Sequence, residues 1–276
     1  MGFLEEEIRK IERGPRLRRT ILSLLAILGV VLLVILALFA LSWFLSYTKE
    51  GSIAVIRLEG TLATGDYSGP DGTGSEFVGA EIRGAADNPL VEAIVLRVNS
   101  PGGSPAAAQE ITADLEYAKA RKPVVVSMGD MATSAAYAIS AHADRIFANP
   151  DTLTGGIGTV WIFTDISEWL RQEGYNITVV KSGSRKDMAS PYRALTADEQ
   201  AYAQDLVNES FERFMDDILR ERNVSRAEIE DGRVVRGEDA VRIGLVDRLG
   251  NLHDAIGEAR LLAGSRVSSS GAGQPS

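Results

Sequence analysis

A run of uncharged residues from Ile21 to Leu45 constrains this chain more than any other feature of its sequence. A helix needs roughly 20 apolar residues to cross the ~30 Å hydrocarbon layer of a bilayer. The run exceeds the ~7 to 15 apolar residues of a cleavable signal peptide, which favours a retained anchor. The sequence therefore predicts a transmembrane helix over residues 20–48.

Basic residues crowd the amino-terminal side of this run. Arg13, Arg16, Arg18 and Arg19 lie in a stretch that contains no acidic residue. Because basic flanks remain on the cytoplasmic side, we expect residues 1–19 to be cytoplasmic and the rest of the chain to lie outside. The predicted location is the cell membrane, with a single pass and an extracytoplasmic domain.

Composition excludes several kinds of chemistry. The 276 residues include no cysteine and two histidines, and the net charge is −9. Thiol catalysis and disulfides are excluded, and a metal site built from several imidazoles is not expected. The acidic balance argues against a nucleic-acid partner, which would call for a clustered basic face. We expect neither a cofactor nor a metal.

Apolar runs alternate with helical patterns after the anchor, which is typical of a layered α/β domain. Strands are predicted at residues 52–62, 91–100, 123–129, 144–150 and 176–183. Residues 65–79, rich in glycine and polar side chains, are predicted to form an exposed loop. The domain is predicted to span 49–264, and the Ser- and Gly-rich tail 265–276 is predicted to be disordered.

Two helices have recognisable starts. Ser104 can cap a helix whose first residue is Pro105, and Thr196 with Glu199 forms a capping box for a long helix. The long helix carries an apolar stripe of Val207, Phe211, Phe214 and Ile218. At helical spacing, this stripe is predicted to face the core or a subunit interface.

Ser134 stands in the small-residue segment MATSAAYAIS, directly after the third predicted strand. A serine nucleophile requires a base within hydrogen-bond reach. His142 lies about 12 Å further along the same predicted helix, so its side chain points elsewhere. His253 is predicted to lie at the surface. If Ser134 is a nucleophile, its base is expected to be a lysine.

The candidate lysines lie in the segment KSGSRKDMASP, residues 181–191. A lysine acts as a base only when it is neutral, so burial or nearby positive charge must lower its pKa from about 10.4. Lys186, packed under the Ser134 helix and beside Arg185, would meet that requirement. A solvated loop is the alternative interpretation of this segment.

Acyl transfer also requires an oxyanion hole. Gly102 and Gly103 follow the second predicted strand and can turn their amides toward a substrate. The amide of Ala135 is adjacent to Ser134. A plain strand-to-helix turn explains the two glycines equally well.

Four segments together resemble the signal-peptide peptidase A family of membrane-anchored serine peptidases. They are NSPGG (99–103), MATSAAYAISAHADRIFANPDTLTGGIG (131–158), KSGSRKDMASPYRALTADE (181–199) and GEDAVRIGLVDRLG (237–250). The resemblance covers about residues 52–262. It implies a layered fold similar to Clp protease and crotonase domains and a ring-shaped homo-oligomer.

The resemblance also implies roles for particular residues. Ser134 becomes the nucleophile and Lys186 the general base, while the backbone amides of Gly103 and Ala135 form the oxyanion hole. Together these residues would hydrolyse peptides through an acyl-enzyme.

Position 156 departs from the family pattern. Relatives often carry there a serine that hydrogen-bonds the lysine, whereas this chain has Gly156. Thr154 or a water molecule is the candidate replacement for the missing hydroxyl.

The expected function is endopeptidase cleavage of signal-peptide remnants and other short apolar peptides at the membrane. A non-catalytic membrane scaffold of the same fold is one alternative. A crotonase-like acyl-CoA enzyme is the other, although it would need cytosolic coenzyme A.

Overall fold

The computed structural model describes residues 2–47 and 51–271, and the chain divides into two compact units, 1–51 and 52–276. In the first unit, the described residues 2–47 form one helix, α1 (Gly2–Tyr47). Its segment Leu22–Trp43 has a mean hydropathy of 3.3, which makes it long and apolar enough to cross a membrane. A signal sequence near an N-terminus would have the same properties. No break in α1 marks the predicted boundary between 1–19 and 20–48.

The second unit alternates strands and helices, as predicted. Its strands are β1 (Ser52–Ala63), β2 (Ser68–Gly69), β3 (Gly72–Gly74), β4 (Val91–Gly103), β5 (Val124–Thr133), β6 (Arg145–Ala148), β7 (Leu153–Gly155), β8 (Val234–Arg236) and β9 (Arg248–Leu249). Its helices are α2 (Ser75–Asp87), α3 (Pro105–Lys119), α4 (Ala135–Ala141), α5 (Ser167–Gln172), α6 (Ala197–Glu221), α7 (Arg226–Ile229), α8 (Gly237–Ile243) and α9 (Leu252–Gly271). The predicted α/β class is confirmed.

The strands form one sheet in the order β2-β3-β1-β4-β5-β6-β9, and β7 pairs with both β5 and β8. The main ladder from β3 to β9 is parallel, whereas β2 and β8 are antiparallel to their neighbours. Strands β4 and β5 are paired from Ile94↔Val124 to Ser100↔Ala132. Their carboxyl ends therefore meet at one edge of the sheet, where ligands bind in open α/β folds.

Both faces of the sheet are covered by helices. Ile94, Leu96 and Val98 of β4 pack in the main core, which also contains residues of α2, α3, α4 and α6. Ala93 and Val95 point the other way and pack with residues of α9. Because alternate residues of a strand face opposite sides, burial on both sides requires a continuous apolar run, as the sequence AIVL shows.

The predicted helix starts are confirmed. The Ser104 hydroxyl accepts a hydrogen bond from Ala107 N, and Pro105 is the first residue of α3. Thr196 and Glu199 form the capping box of α6. Of the predicted apolar stripe, Ile218 is fully buried, and Phe211 and Phe214 pack partly buried against the core.

The predicted exposed loop at 65–79 is wrong in its second half. Residues 72–74 form β3, and α2 begins at Ser75. Thr73 is buried, and its hydroxyl donates to the carbonyl of Glu59 on β1 at 2.7 Å. The prediction was wrong because it took the glycines as loop residues, whereas here they allow close packing. A Cβ on Gly72 would lie 2.1 Å from Thr61 O.

The predicted strand at 176–183 is also wrong. Residues 175–181 have no regular structure, and the whole stretch 171–186 is exposed. A strand requires a neighbour for its backbone groups, and no other strand of the described chain pairs with this segment. Apolar residues that predicted a buried strand, such as Val180, instead face solvent in the single chain.

The C-terminal helix continues into the tail that was predicted to be disordered. Helix α9 runs to Gly271, so the described part of the segment 265–276 is helical, and residues 272–276 lie outside the described residues. Arg266 stabilises this extension by donating from Nη1 to the carbonyl of Lys119 at 3.0 Å and by pairing with Asp144.

Candidate active site

Ser134 lies between β5 and α4 in a backbone conformation that side-chain-bearing residues rarely adopt. Its φ is 55° and its ψ is −126°, and no other non-glycine residue in the described parts of the chain has a positive φ. Its backbone N–H donates to Gly155 O at 2.8 Å, which fixes the bend. Such strain persists only where the surroundings enforce it, and it is common at active sites.

The turn after β4 packs directly against this bend. A Cβ on Gly102, whose φ is 102°, would lie 2.9 Å from both Ser134 Cβ and Ala135 N. A Cβ on Gly103 would lie 2.1 Å from Leu62 O. Both positions therefore require glycine, which lets the two chain segments meet.

A cavity of about 840 Å³ opens beside Ser134, and Gly103 and Ala135 line it with Ser134. Its apolar wall includes Pro105, Ala106, Ala138, Val160 and Phe214, and its polar wall includes Gln109, Thr112, Thr159, Ser210, Arg213 and Asp217. Cavities of this size, mostly apolar with a few polar groups, are typical of ligand sites. The N–H of Ala135, in the first turn of α4, has no acceptor within the helix and is available to a substrate.

Positions 154 and 156 differ in whether a hydroxyl placed there could reach Ser134. A Cβ on Gly156 would lie 3.5 Å from Ser134 N, so a serine there would be next to Ser134. Thr154 is fully buried, and its hydroxyl donates to the carbonyl of Ala132 at 2.7 Å. It does not line the cavity. The structure directs the Thr154 hydroxyl into the sheet rather than toward Ser134.

His142 caps the C-terminus of α4 and lines the same cavity, but both of its ring nitrogens are engaged. Nδ1 lies 2.9 Å from Glu116 Oε1 on α3, and Nε2 lies 2.9 Å from Asp217 Oδ2 on α6. Burial lowers the pKa of His142, but the hydrogen bonds to Asp217 and Glu116 and the nearby charges of Asp217 and Glu221 outweigh it. The net effect raises the pKa above its usual 6.5, and the contacts of the ring join the end of α4 to α3 and α6.

The carboxylates around His142 are balanced by side chains. Ligand atoms of Glu116, His142 and Glu221 lie within 4.8 Å of one another, close enough to share a metal ion. However, Lys119 Nζ lies 3.7 Å from Glu116 Oε1 and 3.8 Å from Glu221 Oε2. Lys119 thus pairs with both glutamates, and Arg220 Nε lies 3.8 Å from Glu221 Oε1.

We expect protonated His142 to stabilise the fold in a pH-dependent way. Because its pKa is raised on folding, its contribution is fully present below about pH 6.5 and is lost as the pH rises through the raised pKa. Thermal unfolding of the full chain and of His142→Gln in detergent, from about pH 5 to 9, should show a Tm difference that narrows with rising pH. A difference that stays constant over this range would contradict the assignment.

Lys186 is not part of the cavity wall. It lies in a turn at residues 184–189 with an exposed side chain, and its backbone N–H donates to Gly183 O at 3.2 Å. Within the described residues its ammonium makes no hydrogen bond or ion pair. The single chain therefore brings Ser134, Gly103 and Ala135 together but leaves Lys186 apart, so the expected packing under the Ser134 helix is absent.

Sequence reasoning missed the ionic partners of the lysine segment. Asp187 binds both Lys181 and Arg193, and Arg193 also binds Glu199 at the start of α6. The only sequence signal was the capping role of Glu199. The cation that pairs with Glu199, Arg193, is known only from the fold.

Comparison with known proteins identifies the family. Residues 116–266 match the model of Peptidase family S49, which is more than half of the chain and includes Ser134 and Lys186.

Individual relatives are similar over most of this chain. Protease 4 of Salmonella typhi is 40% identical over 77% of this chain and 35% of its own length. Protease 4 of Haemophilus influenzae is 34% identical over 80% of this chain and 36% of its own length. The chloroplastic serine protease SPPA of Arabidopsis thaliana is 28% identical over 76% of this chain and 33% of its own length. This chain spans about a third of the length of these relatives. On the match to its family model, together with the fold and the strained serine described above, this chain belongs to peptidase family S49.

Proposed function

We propose that this protein is a membrane-anchored serine endopeptidase in which Ser134 is the nucleophile and Lys186 the general base. The observation that carries the proposal is Ser134 itself: a serine held at a φ of 55° beside a cavity of about 840 Å³. A structural serine between a strand and a helix needs neither the strain nor the cavity. The family match supports the reaction class.

The proposed reaction begins with a neutral Lys186 amine, which removes the proton from Ser134 Oγ as the oxygen attacks the substrate carbonyl carbon. The resulting oxyanion accepts hydrogen bonds from the amides of Gly103 and Ala135. The tetrahedral intermediate then releases the amine product, which takes the proton from the Lys186 ammonium. Water, deprotonated by Lys186, then attacks the acyl carbon. The ester bond to Ser134 Oγ breaks, Oγ takes the proton from the Lys186 ammonium, and the carboxylic acid product leaves.

We further propose that the working form is a ring of identical chains, in which Lys186 approaches Ser134 of a neighbouring copy. Two observations support this proposal. Lys186 is exposed and unpaired within the described chain. The preceding segment also exposes large apolar side chains, including Trp161, Ile162, Trp169 and Val180. A neighbouring copy would bury these side chains and supply the desolvation that a neutral lysine needs.

The proposed substrates are apolar peptides near the membrane, including the remnants of cleaved signal peptides. Alanine, proline, valine and phenylalanine side chains line much of the cavity beside Ser134. The apolar segment Leu22–Trp43 supports membrane association, and the arginines that precede it support an extracytoplasmic domain. Such a site would bind a peptide main chain in an extended conformation.

Labelling with a fluorophosphonate probe tests the proposal directly. We expect the full chain in detergent micelles to form a covalent adduct on Ser134, detected by mass spectrometry of the peptide that contains it. Labelling should be lost in Ser134→Ala and should slow strongly in Lys186→Arg. A folded protein that remains unlabelled would favour the membrane scaffold over the enzyme. Labelled protein that hydrolyses acyl-CoA thioesters but not peptides would favour the crotonase-like alternative.

A further inference from the structure

The turn that carries Lys186 is fixed by the residue that follows it. The Asp187 side chain is only 9% exposed and accepts hydrogen bonds from two cations. Lys181 Nζ lies 2.5 Å from Oδ1 of Asp187, while Arg193 Nη2 lies 2.6 Å from Oδ1 and Arg193 Nε lies 2.9 Å from Oδ2. Both oxygens of the Asp187 carboxylate are therefore occupied.

Arg193 connects this turn to the start of α6. Its Nη1 donates to Glu199 Oε2 at 2.7 Å, and its Nη2 donates to Glu199 Oε1 at 2.6 Å. Glu199 is 3% exposed and also accepts the backbone N–H of Thr196 at 2.9 Å, as part of the capping box. The arginine thus binds two carboxylates in a planar, bidentate manner that a lysine cannot reproduce.

Helix α6 links this ionic network to the serine cavity. The helix begins at Ala197 beside the network, and further along it Phe214 and Asp217 line the cavity next to Ser134. Asp217 also binds His142 at the end of α4. Helix α6 therefore contacts both the ionic network and the cavity. A movement of the Lys186 turn away from the network would be a movement away from the helix that forms one wall of the cavity.

The ion pairs of Asp187 also determine which charges are near Lys186. A carboxylate next to a lysine favours the ammonium form, which cannot act as a base. Asp187 is the adjacent acid, but Arg193 and then Lys181 engage it and hold the pKa of its carboxyl well below the usual range. On the other side, Arg185 pairs with Asp198. Among the described residues, no carboxylate lies within ion-pair distance of the Lys186 ammonium.

We propose that Arg193 is a positioning residue for Lys186, an inference that rests on the proposed function. It anchors the Lys186 turn to α6 through Glu199, and it keeps the Asp187 carboxylate from forming an ion pair with the lysine. Without Arg193, Asp187 loses its main partner and becomes available to Lys186. The lysine would then hold its proton to higher pH.

The test is the pH dependence of kcat/KM for Arg193→Gln, using the full chain in detergent and a short apolar fluorogenic peptide. We expect the alkaline-rising limb to move up by about one pH unit or more, the usual effect of an opposite charge a few ångströms away. Adding Asp187→Asn to this variant should return the midpoint toward that of the wild type, although kcat stays low because the turn is no longer anchored. A purely structural role would lower the rate without moving the midpoint.

Matched variants make the result specific. Arg226 also forms a bidentate pair, with Glu212, but does not contact the Lys186 turn, so Arg226→Gln should leave the midpoint unchanged. Lys181→Gln removes the second cation from Asp187 and should give a smaller shift in the same direction. It serves as the test if Arg193→Gln does not fold, as judged by circular dichroism.

Two outcomes would overturn the inference. One is a folded Arg193→Gln, or in its place Lys181→Gln, whose midpoint equals that of the wild type. The other is a shift that persists when Asp187→Asn is added. Lys186→Met in the same assay distinguishes failure of the proposed function from failure of the role of Arg193. Retained activity in Lys186→Met would overturn the proposed function as well. Loss of activity in Lys186→Met, together with an unmoved midpoint in Arg193→Gln, would overturn only the role of Arg193.

Discussion

Replacing Ser134 by alanine is expected to lower kcat/KM for an apolar fluorogenic peptide by roughly 10⁴-fold or more, because no other group can form the acyl-enzyme. The fold should remain intact. The hydroxyl makes no hydrogen bond within the described residues, and the strained backbone does not depend on it. The measurement is initial rate against enzyme concentration, with the full chain in detergent.

A serine on α4, the helix that follows Ser134, provides the control. Ser140 is buried, and its hydroxyl donates to the carbonyl of Ala136 at 2.7 Å, away from the cavity wall. Ser140→Ala removes a hydroxyl from α4 without touching the nucleophile and should retain activity within about twofold, since such back-bonded hydroxyls contribute little to a helix. Equal rates for Ser134→Ala and the wild type would show that Ser134 is not the nucleophile.

Replacing Lys186 by methionine should lower kcat/KM by about 10² to 10⁴-fold, the usual contribution of a general base. Lys186→Arg should be equally inactive, because a guanidinium keeps the positive charge but does not release its proton near neutral pH. The wild-type rate should rise toward alkaline pH as the lysine loses its proton. An active Lys186→Arg variant, or a flat pH profile, would contradict the role of this lysine.

The same two variants test whether the dyad forms between copies. Ser134→Ala and Lys186→Met, unfolded and refolded together in equal amounts, should recover about a quarter of wild-type activity if each site takes its serine and lysine from neighbouring chains of a ring. No recovery is expected if both groups act within one chain. In that case the Lys186 turn would have to move to its own Ser134.

Local chemistry explains which elements could be predicted. The strands at the centre of the sheet were found because burial on both faces demands an apolar run, and the helix starts were found because Ser104 and Thr196 use capping patterns that span three or four residues. The elements that were missed depend on distant partners. Residues 72–74 form a strand only because β1 lies alongside, and residues 176–183 are not a strand because nothing described pairs with them.

The candidate site divides in the same way. Ser134, Gly103 and Ala135 come together at one edge of the sheet because β4 and β5 are parallel neighbours, whereas their roles in acyl transfer came from the family resemblance and stay a prediction. The role proposed for Lys186 came from the family resemblance and stays a prediction, since the single chain leaves this residue in solvent. Thr154 was proposed from its position in the sequence to replace the serine missing at position 156. Its hydroxyl instead donates a hydrogen bond to the carbonyl of Ala132 in the sheet.

By itself the sequence determined the apolar span, the α/β class and the absence of thiol chemistry, because each follows from the kinds of residue present and their spacing. Tertiary structure alone decided the strained conformation of Ser134, the cavity beside it, the engagement of both His142 nitrogens and the binding of Asp187 by Arg193. These features join residues that are far apart in the chain. Their contacts exist only once the packing of the sheet and α6 has set the distances between them.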